Sequence, residues 1–392
     1  MRLFENWNFR KIMKIEQRIF SLGKGWEVIN GENLGEKAQL VFIFGQTGLM
    51  KDPLHFDEVR AFYPYAEIVG CSTAGEICQG EVFNTHIVCT AAYFEKSMVV
   101  VKKEEIHSMD ESFLIGERLA DQFDQEGLVH VMILSEGLNI NGSDLTKGIN
   151  SRFNHVVPVT GGLAGDQALF KETVIVHNQP GVSNIVVGIG FYGEDLKASY
   201  GSMGGWDSFG LDRLVTKSKA NVLYELDGYP ALGLYKKYLG EHAANLPSSA
   251  LMFPLSFKIN NSDISLVRTI LAVNESDGSM VFAGDIPEGV FVRLMKANYN
   301  NIIDGAFGAA DMSRTGIGDL KPDLAILISC VGRKLVLKQR VEEELESVME
   351  VIGENVAATG FYSYGEICPI KPFEQQCELH NQTMTITLFK EL

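Results

Sequence analysis

One unit occurs three times along this chain, and it constrains the fold more than any other feature of the sequence. In each copy an apolar strand and a helix-like stretch precede a second strand, which ends in a glycine-rich turn closed by an acidic residue. The second strands with their turns span residues 68–76, 159–166 and 358–366. The copies are much too far apart for a solenoid repeat, so the pattern indicates internal duplication of an α/β unit.

The rest of the pattern predicts an α/β protein with two intimately packed domains, in which mixed β-sheets are flanked by helices. The glycine-rich stretch at 201–210 is the expected boundary. It divides the chain into an N-terminal extension (1–37), a first domain (38–210) and a second domain (211–392). The clearest helix is predicted over 338–352, because its apolar residues fall on one face and its glutamates on the other.

Charge and hydropathy exclude several classes of function. The chain has 34 basic and 50 acidic residues, which gives a net charge of −16. This balance opposes binding to nucleic acid or to anionic lipid, because both require clustered Lys and Arg. The N-terminus lacks the apolar core of a signal peptide, and no apolar run approaches the roughly 20 residues that span a bilayer. We therefore expect a cytoplasmic protein without membrane insertion.

Cysteine and histidine spacing limits the metal chemistry. The six cysteines form no C-x-x-C pair, so a zinc or thioredoxin-type site has no support. No two of the eight histidines are three or four residues apart, which excludes a two-histidine metal site on one helix. A single axial haem ligand remains open.

The three turns are the main candidates for a binding site. In open α/β sheets, ligands bind beyond the carboxyl ends of the strands, where glycine-rich turns expose backbone N–H groups. The alternative is purely structural: each turn is simply tight, and its acid caps the next segment. Three similar copies favour a shared pocket. The candidate ligand-binding residues are Ser72, Thr73, Gly75, Glu76, Gly161, Gly162, Asp166, Tyr362, Tyr364, Glu366 and Asn381.

A catalytic interpretation is the weakest of those considered. Cys71 and Ser72 follow a strand, but no histidine base accompanies them in the sequence. The G-x-S-x-G, P-loop and H-E-x-x-H motifs are missing from the sequence. We therefore expect a binding protein rather than an enzyme.

Several motifs, taken in order, resemble a known family. Residues 69–77 and 160–166 resemble the N-terminal part of FIST proteins. Segments in the second half resemble the C-terminal part, namely residues 221–231, 284–289, 359–366 and 380–383. The resemblance covers about residues 38–390. FIST is a sensory domain of signal-transduction systems.

The resemblance implies an intracellular ligand-binding sensor. Since the chain leaves no room for an output module, it implies a separate partner, such as the histidine kinase of a two-component system. The chain is similar to free-standing members of the NosP type, which bind haem and sense nitric oxide. That similarity implies noncovalent haem b, with His380 as the first candidate iron ligand, followed by His242 and His177.

The alternative is a sensor of a small metabolite such as an amino acid, without haem. In that case Ser72, Thr73 and the loop N–H groups hold a carboxylate. Glu76 or Glu366 accepts a hydrogen bond from an amine, and the tyrosines orient the ligand.

Overall fold

The computed structural model describes residues 13–153, 156–258, 265–370 and 375–392. The first twelve residues of the predicted N-terminal extension lie outside these ranges. The helices are α1 (Thr47–Lys51), α2 (Pro53–Phe62), α3 (Ser112–Ala120), α4 (Gly142–Phe153), α5 (Ala231–Leu239), α6 (Tyr299–Ile317), α7 (Val331–Leu337) and α8 (Val341–Ile352).

The strands of the first half are β1 (Lys14–Ser21), β2 (Gly25–Asn30), β3 (Leu40–Gly45), β4 (Glu67–Ser72), β5 (Glu76–Cys78), β6 (Glu81–Phe83), β7 (His86–Tyr93), β8 (Met98–Glu105), β9 (Leu128–Ser135), β10 (Val159–Leu163), β11 (Ile175–His177), β12 (Ile185–Tyr192) and β13 (Leu196–Met203). Those of the second half are β14 (Asp207–Lys219), β15 (Val222–Leu226), β16 (Tyr229–Pro230), β17 (Leu255–Lys258), β18 (Ser265–Arg268), β19 (Ile270–Asn274), β20 (Ser279–Phe282), β21 (Phe291–Lys296), β22 (Leu324–Cys330), β23 (Ala357–Ser363), β24 (Gly365–Pro369), β25 (Cys377–His380) and β26 (Met384–Glu391).

The predicted α/β class and its internal repeats are confirmed. Each copy of the unit forms a parallel pair of strands, namely β3–β4, β9–β10 and β22–β23. An antiparallel strand lies on the other side of the first strand in every pair, and these strands are β7, β12 and β26. The resulting sheets are mixed, and their strand orders are β11-β4-β3-β7-β1-β2, β25-β24-β10-β9-β12-β8 and β13-β26-β22-β23-β5-β6.

The three units exchange strands in a closed ring. After its turn, the first unit sends β5 to pair with β23 of the third unit. The third unit sends β24 to β10 of the second, and the second sends β11 to β4 of the first. Each repeated turn is thus a crossover from one sheet to another, and we call the three interlocked units the ring.

Backbone hydrogen bonds join the three turns to one another at the crossovers. Ala74 N donates to Tyr362 O at 2.8 Å, and Tyr362 N donates to the first turn in return. Gly165 N donates to Ser72 O at 2.9 Å, and Tyr364 N donates to Leu163 O at 3.1 Å. Because these segments are buried, the bonds satisfy polar groups that water cannot reach.

The first glycine of each turn permits a close approach within the parallel pair. A Cβ added to Gly70, Gly161 or Gly360 lies 1.7, 2.0 or 1.8 Å, respectively, from the carbonyl oxygen of the residue paired with it on the preceding strand. No side chain fits at these distances, so these three glycines are required by packing.

Residues 207–296 come after the second unit and before the third unit in the chain. They form a separate layer, which we call the additional sheet. It contains β14 to β21 and α5, and it has its own core, which includes Val215, Leu223, Tyr235, Phe282 and Leu294. The predicted boundary stretch 201–210 leads into this layer. The predicted second domain, residues 211–392, contributes both this sheet and the third unit of the ring.

The helix α8 begins three residues later than predicted. The predicted helix over 338–352 is observed from Val341, because Lys338 adopts a left-handed φ of 54° and a short 3₁₀ turn precedes the helix. Its buried face carries Leu345, Val348 and Ile352. Over the described ranges, we find no helix with both the length and the apolarity to cross a membrane.

We predict that Gly360→Ala lowers the free energy of unfolding by about 3 kcal/mol or more, because the new methyl group overlaps a carbonyl oxygen. The matched control is Gly233→Ala on the exposed face of α5, where a Cβ meets nothing within 4 Å. Helix propensity predicts a gain of up to about 1 kcal/mol for the control. Urea unfolding of both variants measures the difference, and an unchanged midpoint for Gly360→Ala contradicts the packing role.

Candidate ligand-binding site

A cavity of about 120 Å³ lies where the ring meets the additional sheet, and we call it the junction cavity. The ring contributes Met109, Gly137, Leu138, Ile140, Asn141, Gly142, Leu163, Phe170, Cys330, Val331, Gly332 and Tyr364. The additional sheet contributes Asn221, Leu251, Thr269, Leu271, Phe282, Ala283 and Gly284. Most of these side chains are apolar, and the lining formed by the described residues includes no charged side chain.

The second and third turns build one wall of the junction cavity. The Tyr364 hydroxyl donates a hydrogen bond to Asp166 Oδ1, and the Tyr364 ring stacks on Phe170 with centroids 4.4 Å apart and planes 13° apart. Burial raises the pKa of Tyr364, with Asp166 acting in the same direction, so the hydroxyl remains protonated. The pair presents a flat aromatic surface to the cavity.

Asp166 also shapes the loop that follows the second turn. Its carboxylate accepts hydrogen bonds from the backbone N–H groups of Phe170, Lys171 and Glu172 at 2.8, 2.7 and 3.0 Å. Within this loop Gln167, Ala168 and Phe170 have φ values of 59°, 65° and 54°. Such left-handed conformations cost non-glycine residues free energy, and the bonds to Asp166 help to offset it.

Rim residues mark the opening of the junction cavity. Met109, Phe170 and Leu271 line it and are each 43% exposed. A ligand can therefore enter between the loop after the second turn and the additional sheet.

One buried amide beside the junction cavity lacks a hydrogen-bond partner. Gln382 is fully buried, and its Nε2 donates to Thr269 Oγ1 at 2.9 Å. Among the described residues, nothing donates to its Oε1. The amide lies against Gly332, where an added Cβ is 2.3 Å from Nε2. Glycine at 332 therefore makes room for a polar group directly behind the cavity wall.

Of the residues predicted from the turns, Tyr364 lines the junction cavity. The acids of the first and third turns are buried and face inward. Glu76 accepts from Thr73 Oγ1 at 2.7 Å, and Glu366 accepts from Ser363 Oγ at 2.5 Å and from Thr383 Oγ1 at 2.9 Å.

The other predicted residues are occupied by contacts within the fold. Ser72 Oγ accepts from Val174 N at 2.9 Å, and Asn381 Nδ2 donates to His380 O at 2.9 Å. Gly162 packs against Ile328, where an added Cβ is 2.7 Å from Cγ2. At Gly75, which has a φ of 149°, an added Cβ is 2.3 Å from Lys334 Nζ.

Tyr362 belongs to a buried polar cluster. Its hydroxyl donates to Glu344 Oε2 at 2.8 Å, and Arg333 Nε donates to Glu344 Oε1 at 2.6 Å. Arg333 and Glu344 are completely buried. Arg333 Nη2 also donates to Ile302 O at 2.6 Å, which joins α6 to α7 and α8. Removing Arg333 or Glu344 leaves a buried charge unpaired, so this cluster fixes the packing of the third unit.

His380 lines a second, larger cavity of about 1050 Å³, which we call the His380 cavity. His380 is 7% exposed, and its Nε2 lies 2.9 Å from Cys368 O. A carbonyl oxygen can only accept, so Nε2 carries the proton and Nδ1 carries the lone pair. Burial lowers the pKa of His380 to about 4, which keeps the imidazole neutral near pH 7.

The two lower-ranked histidines have other surroundings. His177 Nε2 lies 3.4 Å from a carboxylate oxygen of Glu67. His242 is exposed, and its ring packs on Phe253 with centroids 5.2 Å apart. In the part of the chain that the structure describes, no three His, Cys, Asp or Glu side chains are grouped as metal ligands.

Sequence reasoning missed Phe170, Asn221, Thr269 and Gln382. The motifs quoted above contain two of them, since Asn221 opens the motif 221–231 and Gln382 lies within 380–383. Phe170 and Thr269 have no signal in the sequence, because only the tertiary contacts bring them to the cavity.

The buried acids predict a pH-dependent stability. Burial raises the pKa values of Glu76 and Glu366 to about 7. Hydrogen bonds to the two carboxylates lower these pKa values, but their effect is smaller than that of burial. The unfolded chain releases these protons near pH 4.5, while the folded protein keeps them up to about pH 7. Stability therefore falls as the pH rises from about 4.5 to about 7.

In the wild-type protein, we expect the free energy of unfolding to fall between pH 5 and pH 8. We predict that this fall is roughly 3 kcal/mol smaller in Glu366→Gln. Urea unfolding at the two pH values measures this change. The control is Glu346→Gln on the exposed side of α8. An equal pH dependence in wild type and Glu366→Gln contradicts the assignment.

The sequence matches two known domains. The chain matches the FIST N domain over residues 39–229 and the FIST C domain over residues 231–369. An uncharacterized protein of Methanocaldococcus jannaschii is 24% identical over 386 residues, and the match covers 85% of this chain and 70% of that protein.

A crystal structure of cyanuric acid hydrolase from A. caulinodans aligns over 91% of this chain and 90% of that chain. Its TM-score is 0.35 and its identity is 7%, and at this level the likeness supports no functional argument. The two domain matches together cover most of the sequence. The chain therefore belongs to the FIST family, whose domains are sensory domains of signal transduction.

Proposed function

We propose that the chain is an intracellular sensor that binds a small neutral molecule in the junction cavity and regulates a separate signalling protein, such as a histidine kinase. The observation that carries this proposal is the composition of the cavity wall, to which the ring and the additional sheet both contribute. A ligand that contacts both layers stabilises one relative arrangement of them. This differential binding is what a sensor requires.

The lining indicates the chemistry of the ligand. A cavity of about 120 Å³ holds a molecule of only a few heavy atoms, since an engineered apolar cavity of about 150 Å³ accommodates benzene. Tyr364 and Phe170 offer a stacking surface, and Asn221 and Thr269 add polar contacts. A charged ligand has no charged partner among the described lining residues, so a neutral one is favoured.

A binding function is also supported over a nucleophilic one. Cys71 is fully buried, and burial raises the pKa of its thiol well above the ordinary value. Ser72 is also fully buried, and its hydroxyl is held by Val174 N. Neither group is accessible to a substrate in this conformation.

We predict that Ala283→Leu blocks ligand binding without unfolding the protein, because the larger side chain fills the junction cavity. A thermal-shift screen of neutral compounds with up to about six heavy atoms identifies ligands of the wild-type protein. We expect at least a tenfold loss of affinity for each such ligand in Ala283→Leu. The matched control, Ala61→Leu on the exposed face of α2, retains affinity. Equal binding by both variants places the ligand elsewhere.

A second candidate function is haem-based sensing of nitric oxide, supported by the position of His380 at the edge of a large cavity. Met203, Met295 and Phe257 provide apolar surface there. The cation Arg293 also lines this cavity, and it is paired with Asp212 at 2.6 and 2.7 Å, so a haem propionate would compete with that carboxylate. The neutral imidazole of His380 offers a lone pair on Nδ1. When bound, haem supplies an iron atom that nitric oxide can ligate.

We predict that haem reconstitution of the full chain produces a Soret band that shifts when nitric oxide is added to the reduced protein. His380→Ala abolishes the band or moves its maximum, while the control His242→Ala leaves it unchanged. A featureless spectrum after reconstitution, or identical spectra for His380→Ala and wild type, rules out His380 as the iron ligand.

A further inference from the structure

A third cavity, of about 560 Å³, lies between the start of α4 and the additional sheet, and we call it the Arg268 cavity. Unlike the junction cavity, it is lined by charged side chains. These include Lys147, Arg268, Asp285, Glu288 and Glu378. The pairing of these charges indicates what the cavity can hold.

Arg268 is a buried cation without a carboxylate partner. It is 2% exposed, yet no carboxylate oxygen of the described residues lies within 4.0 Å of its guanidinium nitrogens, which is the distance limit for an ion pair. Its Nη1 donates to Leu379 O at 2.9 Å and its Nε to Asp285 O at 3.2 Å. Nη2 has no hydrogen-bond partner within the described ranges. Burial lowers the pKa of Arg268 to about 10, so it remains charged near pH 7.

Buried charges in proteins are normally paired, because an isolated one loses its hydration without compensation. The backbone carbonyl groups around Arg268 compensate part of that loss. The unpaired Nη2 is the remaining donor, and it belongs to a side chain that lines the cavity.

Glu378 supplies the opposite charge. It lies on β25, which contacts β18, the strand that carries Arg268. It is partly buried, and no described side chain forms a hydrogen bond or ion pair with it. Burial raises its pKa, while Arg268 and Lys147 lower it through their charges. Arg268 and Glu378 thus attract each other across the cavity without making contact.

Lys147 and Asp285 are not available to pair with a ligand, because they are already paired with each other. Lys147 Nζ lies 2.7 Å from Asp285 Oδ2 and 2.8 Å from Asp144 Oδ1. The Phe257 ring lies 5.5 Å from the Arg268 guanidinium and forms an apolar wall beside it. Glu288 accepts a hydrogen bond from Ser218 N at 2.8 Å. The groups that remain available to a ligand are therefore one cation, one carboxyl and one aromatic surface.

We propose that the Arg268 cavity binds a small zwitterion, whose carboxylate pairs with Arg268 and whose protonated amine pairs with Glu378. An anion alone leaves Glu378 next to a like charge, and a cation alone leaves Arg268 unpaired. A molecule with both groups satisfies both sides, and charge-assisted hydrogen bonds of this kind are strong. This site is separate from the junction cavity and does not depend on the function proposed for it.

Isothermal titration calorimetry of the full chain tests the site with glycine, β-alanine and 4-aminobutyrate, because these probes differ in the separation of their charges. Propionate and propylamine are the single-charge references. We expect the best zwitterion to bind at least tenfold more tightly than either reference. Glu378→Gln reduces its affinity to that of propionate, while the control Glu346→Gln does not change it.

Two further variants separate this site from the junction cavity and from a folding defect. Ala283→Leu, which fills the junction cavity, leaves zwitterion binding unchanged. Arg268→Gln abolishes it, and a thermal melt shows whether that variant is folded. If no zwitterion binds more tightly than the references, or if Glu378→Gln binds the best one as well as wild type does, the cavity holds water only and the proposal fails.

Discussion

The fold depends on the hydrogen bonds that join the three repeated turns. Each turn carries the chain from one sheet to another. Between the two sheets, the backbone N–H and C=O groups of the turn have no partners in a strand pair. The bonds between Ala74 and Tyr362, Gly165 and Ser72, and Tyr364 and Leu163 pair the polar groups exposed by these crossings. Because every unit donates a strand to another unit, no sheet is complete without its neighbour. One hydrophobic core therefore includes residues of all three units, such as Ile77, Ile133 and Leu327.

The junction cavity arises where the threefold pattern breaks. In the first and third copies, the closing glutamate turns back to a hydroxyl three residues earlier, on Thr73 or Ser363. The second copy is one residue shorter and ends in Asp166. That shorter side chain binds the backbone of the following loop and the Tyr364 hydroxyl instead. The loop and the tyrosine then form the aromatic wall of the cavity.

The additional sheet forms part of the wall of each cavity described here. The three cavities described here all lie between this sheet and the ring, and each combines residues of both. Their chemistry differs: one is small and neutral, one is large with a histidine at its edge, and one contains an unpaired guanidinium and a carboxyl. A ligand in any of them contacts two layers with separate hydrophobic cores, which is a physical basis for converting binding into a change of arrangement.

Strand periodicity, glycine spacing and motif order are local properties, so the α/β class, the three repeated units and the family could be predicted from the sequence alone. It also identified Tyr364, which lines the junction cavity. Which turn residues face a cavity depends on the packing of the units, since Glu76, Glu366 and Tyr362 could equally have pointed outward from the same motifs. The strand exchange was likewise invisible in the sequence, because pairing between β5 and β23 joins residues more than 280 positions apart. Thr269 and Arg268 acquire their roles through such long-range contacts, which no local pattern records.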